Sequence, residues 1–395
     1  TGHTDLLRLC ADALELLLER MHTYVDDSGI VENPPSFMFV DWVIVDGMTL
    51  HRPPKALGQT FLSMFYYGGL TYGAKIYEAL GDTAKAELYR SRAAALKIAI
   101  NTLLYDPERE LYFEGLNTPS RYGDGWWLPE NVETRYYRLH SNVLAALFGV
   151  HDNPADLLTR TLEDESLGYF QPYFAHFVLE AVRECGLTHR FSREILDMWK
   201  KPILDCPKGL PEGFIYQENY GFDHSHGWGG TPLYHLPMVL SGLEILEPGY
   251  KRIRLNPDLL DFAHANVEIP TPYGIIRIEM QEGKEPVITV PDGIAHFLEH
   301  KLFESEDGDA FTKYAKTGAY SNAYTSFDRT CYLFSCSNRF YDNLKILLDF
   351  VRSPYFTEAT VNKEQGIIGQ EIRMYDDSPA WRVMFNMLGA MYHNH

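Results

Sequence analysis

The sequence predicts a mainly α chain in three successive parts: paired antiparallel helices over residues 1–246, a small antiparallel β-module over 247–290, and a partial α/β (α+β) unit over 291–395. Apolar residues recur near the 3.6 period through the first part, as Leu6, Leu7, Leu9, Leu14, Leu17 and Leu18 do at its start. After Glu247-Pro248-Gly249-Tyr250 the texture changes to short β-prone runs broken by Pro and Gly. From Ala295 onwards helical and strand-like segments alternate.

In chain order, helices are expected from Asp5 to about Met21, then at Phe61–Leu80, Ala84–Leu104, His140–Val150, Leu157–Leu162, Tyr173–Cys185, Phe191–Met198 and Leu236–Leu246. Gly81-Asp82 and Pro154-Ala155 supply turns between them. The connecting segments Phe37–Trp42, Tyr122–Trp127 and Gly213–Trp228 are aromatic and polar, which is where a helical barrel would hold a sugar site. Strands are expected at Arg252–Leu255, Ala265–Ile269, Gly274–Met280 and Pro286–Val290. The third part reads as a helix over 295–301, a strand at Thr330–Ser335, and helices at Asp342–Val351 and Thr360–Met374.

Of the 395 residues, 45% are apolar and 23% charged, proportions that allow a folded protein with a large core. The formal net charge of -19 leaves no basic excess to neutralise phosphates, so nucleic acid is excluded and a carbohydrate or peptide substrate fits better. Cys10, Cys185, Cys206, Cys331 and Cys336 are odd in number and lack CxxC spacing, which argues against a disulfide framework and for a reducing, cytoplasmic setting. No apolar run approaches the ~18 residues of a membrane span. Residue 1 is Thr and helical patterning starts almost at once, so the chain is expected to begin inside a domain.

The sharpest chemical signal is His296-Phe297-Leu298-Glu299-His300. On a helix its two histidines stand at i and i+4, one turn apart on one face, as two nitrogen ligands to one zinc require. Glu299 lies between them as the candidate base for water activated by the metal. A chance pair of surface histidines is the alternative for these five residues alone.

Residues 1 to about 290 resemble the C-terminal part of the catalytic region of bacterial α-L-rhamnosidases, glycoside hydrolase family seventy-eight, and their six-hairpin relatives. The resemblance rests on ordered segments: Phe39-Val40-Asp41-Trp42; Gly168-Tyr169-Phe170-Gln171-Pro172-Tyr173-Phe174; His224-Ser225-His226-Gly227-Trp228-Gly229-Gly230 with Pro232-Leu233-Tyr234; and Glu247–Tyr250 with Pro270-Thr271-Pro272-Tyr273-Gly274. It implies an incomplete (α/α)6 six-hairpin toroid and an inverting mechanism, in which two carboxyl groups stand roughly 6.5–9.5 Å apart with water between. By position Glu212 matches the general base, although Pro211 stands where the family has Trp; an ordinary loop Glu is the alternative, and Glu218 is a nearby rival. Sugar contacts would come from Trp42, His226, Trp228 and Tyr234, with Asp41 either orienting a hydroxyl or capping a helix. The family's general acid lies upstream of the Asp-Trp segment and has no counterpart here; Asp46 or Glu130 are possible substitutes that nothing favours. With about eight helices in place of twelve, apolar helix faces are expected to lie uncovered.

Residues 291–395 resemble the pitrilysin and insulinase family of inverted-motif (HxxEH) zinc peptidases. Gly293–Phe303 continues into Tyr320-Ser321-Asn322-Ala323-Tyr324-Thr325-Ser326, then Asp349-Phe350-Val351 and Pro354-Tyr355-Phe356-Thr357. The resemblance implies zinc held by His296, His300 and Glu371, Glu299 as base, and Glu364 orienting a ligand from seven residues before Glu371 on the same helix face. The strand at Asn322-Ala323 would take a substrate peptide by strand addition. Both resemblances meet at Val290–Ile294, so the expectation is a join of two unrelated segments, each an incomplete domain with little activity.

Overall fold

The structure is a computed structural model that describes residues 4–32, 39–45, 48–50, 59–116, 135–205, 209–214, 225–290, 294–305, 308–325, 330–352, 355, 357, 361, 363–364 and 367–368; for 44–45, 48–50 and 294–297 the description stops at the backbone. The chain forms two compact units, Thr1–Val267 with Ile278–Pro286, and Glu268–Arg277 with Val287–His395.

The first unit opens with α1 (Asp5–His22), the two-stranded β1 (Val43–Val45) and β2 (Met48–Leu50), and the long pair α2 (Gln59–Leu80) and α3 (Thr83–Leu103). Only Gly81 and Asp82 separate α2 from α3, which forces an antiparallel hairpin, and the Asp82 side chain caps α3 by accepting the Lys85 N–H at 3.0 Å. The short hairpin β3 (Tyr105–Asp106) and β4 (Leu111–Tyr112) leads to α4 (Leu139–Leu147), α5 (Pro154–Glu163), α6 (Pro172–Glu184), α7 (Thr188–Asp197), α8 (Lys200–Asp205) and α9 (Thr231–Ser241). Pro154 and Pro172 each sit in the first turn of their helix, where the missing N–H costs nothing. Helix α6 lies at the centre and packs against α4, α5, α7 and α9. Its Phe174, Ala175, Val178, Leu179 and Val182 are fully buried, and the i, i+4 spacing of 174, 178 and 182 aligns them in one apolar stripe. Truncating one such side chain to Ala costs about 2–5 kcal/mol.

The expected helix Leu236–Leu246 is displaced: α9 ends at Ser241 and residues 244–247 form β5 (Glu244–Glu247), paired antiparallel with β6 (Arg252–Arg254). The cause is Gly242, left-handed at φ 56°, where a Cβ would meet the Asn256 carbonyl oxygen at 2.1 Å. The apolar run Leu243-Glu244-Ile245-Leu246 reads equally well as either element. Helix α8 and the strands β1 to β4 were not expected; all are shorter than the windows in which periodicity shows.

Among the described residues an uncovered apolar face is present on α1, where Leu6, Leu9, Leu16 and Leu17 are exposed and Leu18 alone is buried. The β-module ends in a three-stranded sheet in the order β7 (His264–Thr271), β8 (Gly274–Gln281), β9 (Val287–Thr289), through whose hairpin the boundary between the units runs. Burial alternates along β8, with Ile276, Ile278 and Met280 inward, the period of two that marks a sheet with one face covered.

The second unit contains α10 (Ile294–Leu302), the hairpin β10 (Glu304–Ser305) and β11 (Gly308–Asp309), α11 (Ala310–Thr317), the antiparallel pair β12 (Tyr320–Thr325) and β13 (Thr330–Ser335), and α12 (Phe340–Arg352). Phe303, Ala310, Tyr314 and Phe350 form its core, with Tyr332 and Phe334 of β13 packed against them. Helix α11 is an unforeseen element whose signals are in the sequence: the Asp309 side chain accepts the Phe311 N–H at 2.7 Å, and Gly318 ends it at φ 73°. Residues 361, 363, 364, 367 and 368 are helical, within the helix expected from Thr360; Glu371 lies outside the described residues, as do Asp46, Glu130 and Glu218. Among the described residues no helix is long and apolar enough to cross a membrane.

Candidate functional site

In the first unit three connections converge. The loop Leu210–Phe214 carries Glu212, the segment Phe39–Trp42 precedes β1, and a 3-10 turn at Gly227–Gly230 leads into α9. The Trp42 indole N–H donates to Glu212 Oε1 at 2.9 Å, across 170 residues of sequence. The loop bearing Glu212 is fixed on its other side by close backbone contact: the His226 N–H donates to the Leu210 carbonyl at 2.8 Å, and a Cβ on Gly229 would come within 2.7 Å of the Pro211 carbonyl oxygen. Trp199 holds Gly229 in turn, its indole N–H donating to the Gly229 carbonyl at 2.9 Å. Glu212 is therefore a placed carboxylate, half-buried beside aromatic rings.

Trp228 stacks on Phe39 with centroids 5.5 Å apart and lies 4.9 Å from Tyr173 and 4.4 Å from His226. With Tyr173, His176, Phe177 and Tyr234 it lines an open depression of about 340 Å³. His226 uses Nδ1 to accept the Trp228 N–H at 3.2 Å and so caps the 3-10 turn. Burial raises the phenol pKa of both Tyr173 and Tyr234, so both present a proton donor at neutral pH.

Asp41 does not line this depression. Its side chain is completely buried, and its oxygens accept the Trp42 N–H at 2.8 Å, the Gln171 N–H at 2.8 Å and a bond with His140 Nε2 at 3.2 Å. A carboxylate saturated inside the protein cannot orient a sugar hydroxyl; it ties the Trp42 segment to the start of α6. Gln171 extends that tie, its side-chain oxygen accepting the Phe214 N–H at 2.9 Å just past Glu212. Spacing alone gave no signal for His140 or Gln171, whose roles depend on contacts between distant segments.

In the second unit α10 carries His296, Glu299 and His300 within one turn, and packs against β12 and β13. His300 Nδ1 is 2.7 Å from Glu364 Oε1, a carboxylate only 6% exposed. With Nδ1 so engaged, Nε2 is the ring nitrogen through which a metal would be bound. Glu299 is 9% exposed and its Oε2 accepts the Thr325 hydroxyl at 2.7 Å; that hydroxyl also lies 3.1 Å from the Thr330 hydroxyl across the β12–β13 pair. Tyr332, pushed up to about 12 by burial and then by the Glu299 charge, flanks the same carboxylate. An imidazole whose Nδ1 is held by a buried carboxylate is suited to bind a divalent cation through its other nitrogen. Thr325 went unnoticed in the sequence because its function depends on the register that sets it opposite Thr330.

Residues 290–395 match the family model for the insulinase family, peptidase family M16. The chain is 60% identical over 113 residues to the "Uncharacterized zinc protease YmfH" of Bacillus subtilis (strain 168), an alignment covering 29% of this chain and 26% of that protein. Among solved structures, the GH78 family rhamnosidase of Bacillus sp. GL1 matches with a TM-score of 0.60 at 21% identity, over 73% of this chain and 30% of that one. The α-L-rhamnosidase from "Dictyoglumus thermophilum" matches with a TM-score of 0.56 at 18% identity, over 73% of this chain and 31% of that one. The chain thus spans about a quarter to a third of the relatives it matches. Both resemblances read from the sequence hold: a rhamnosidase-like fold for the helical part, and similarity to zinc peptidases at the C-terminal end.

Proposed function

We propose that residues 291–395 form a partial zinc-peptidase domain whose active centre is built on α10. The observation that carries the reading is the 2.7 Å contact from Glu364 to His300 Nδ1, beside the buried Glu299. His296, His300 and Glu371 would hold the metal, which when bound supplies a Lewis acid for peptide hydrolysis. Glu364 fixes the His300 ring and keeps Nε2 directed at the centre. Glu299, oriented by Thr325, takes the proton from the attacking water and returns it to the leaving amine. Among the described residues β12 and β13 form a two-stranded sheet, so the outer edge of β12 offers backbone groups to an extended substrate peptide. Turnover of an internally quenched peptide should fall ~100-fold or more in Glu299→Gln, with zinc content unchanged. Undiminished turnover would sink the assignment of Glu299.

A second reading belongs to the first unit, favoured by the Trp42–Glu212 bond on a rhamnosidase-like fold. There Glu212 is the general base of an inverting α-L-rhamnosidase-type hydrolase, and Trp42, His226, Trp228 and Tyr234 contact the sugar. Release of 4-nitrophenol from an aryl α-L-rhamnoside that persists in Glu212→Gln would contradict it. The two parts are of separate descent and meet in an unnatural join near residues 290–294; one uninterrupted natural transcript across codons 285–300 would disprove the join.

A further inference from the structure

Helix α6 and helix α9 bring together three side chains that neither reading uses. His176 and Glu180 stand at i and i+4 on α6, and His235 reaches them from α9. Each offers one ligand atom, and these atoms lie within 4.8 Å of one another. His235 is completely buried, Glu180 mostly so, and His176 is exposed on the rim of the depression lined by Trp228 and Tyr234.

The hydrogen bonding of this cluster is incomplete in an informative way. His176 Nδ1 and His235 Nε2 are 2.9 Å apart, and Arg183 donates to Glu180 Oε2 at 2.7 Å. That leaves His235 Nδ1 and Glu180 Oε1, both buried and both without a hydrogen-bond partner, 3.8 Å from each other. The separation is too long for a direct hydrogen bond, whichever tautomer His235 adopts. If Nε2 carries the proton, two buried lone pairs face each other; if Nδ1 carries it, a buried donor goes unsatisfied. Either arrangement is costly, and a bound cation removes the cost. Two ligands on one tetrahedral zinc at ~2.0–2.1 Å stand roughly 3.3 Å apart, so the His235–Glu180 pair closes with about half an ångström of adjustment, and a pair at the 4.8 Å bound of the three-residue cluster with about 1.5 Å.

We propose that His176, Glu180 and His235 form a second divalent-metal site, of zinc type, in the helical unit. Two imidazoles and one carboxylate are the donor set that zinc accepts, and Arg183 holds the carboxylate from its far oxygen as an outer partner does. The fourth position opens on the His176 side, where the depression gives access to solvent or to an oxygen ligand.

The test separates this site from the one on α10. A chain carrying His296→Ala and His300→Ala is equilibrated with Zn²⁺, desalted and assayed for metal by mass spectrometry, and its melting is followed with and without Zn²⁺. The expected result is one zinc per chain and a higher melting temperature with metal. Adding His176→Ala, an exposed position that leaves the core intact, should abolish both effects. Zinc-free protein in the α10 double variant, or a stoichiometry unchanged by His176→Ala, would overturn the proposal. If the α10 centre holds no metal, the unsubstituted chain already carries one zinc and the double variant keeps it, so the two assignments fail independently.

Discussion

At the scale of single residues, second partners decide which side chains act. Glu364 matters through the ring it holds, so Glu364→Ala should weaken zinc affinity ~10–100-fold without unfolding the chain, as measured by competition with a chromophoric chelator. Equal affinity in the variant would mean that His300 is oriented by something else. His235 carries a pH prediction. Burial first, with the opposing pull of Glu180 offset by the neighbouring His176 and Arg183, leaves its pKa at about 4, below the ordinary 6.5. The unfolded chain then binds the proton more readily, so this stability is complete above pH ~6.5 and is lost as pH falls towards 4. In metal-free urea titrations the wild type should lose up to about 3 kcal/mol more than His235→Gln between pH 7 and 4.5. Parallel losses would contradict a buried neutral imidazole.

At the scale of elements, what the sequence disclosed follows the length of each pattern. The 3.6 period carried across α2, α3 and α6, each of 13 residues or more, and the expected bounds agree with the observed ones within one or two residues. The helix of the HFLEH motif was legible because its chemistry and its periodicity coincide. The end of α9 was not, because it is set by the closeness of Gly242 to Asn256, a contact between segments that no local window contains. Trp42 and Glu212 were singled out separately, but their bond joins residues 170 apart and only the fold could show it. Asp41 was read as either a sugar contact or a helix cap for the same reason: its sequence neighbours gave no hint that Gln171 and His140 would enclose it. Helix α11 has only eight residues, and its ends are marked by a cap at Asp309 and by Gly318. Asp309→Ala should therefore destabilise the second unit by about 1 kcal/mol in denaturant melts, and no change would show that the cap is dispensable.

At the scale of the whole molecule, the chain combines a helical unit of rhamnosidase-like fold with a second unit that carries peptidase-like sequence. The first unit leaves an apolar stripe on α1, with Leu9 80% and Leu16 73% exposed. Such a stripe favours association, so Leu9→Gln with Leu16→Gln should lower the self-association seen by sedimentation while changing stability by no more than about 0.5 kcal/mol. Unaltered sedimentation would mean that this face is not sticky in solution. The account rests most heavily on metal chemistry at α10, and diffraction from crystals of the zinc-loaded chain, recorded on both sides of the zinc absorption edge, tests it most directly. The account predicts an anomalous peak roughly 2 Å from His300 Nε2, on the side of the ring away from Glu364. Zinc-containing crystals with no peak at His300 would contradict it.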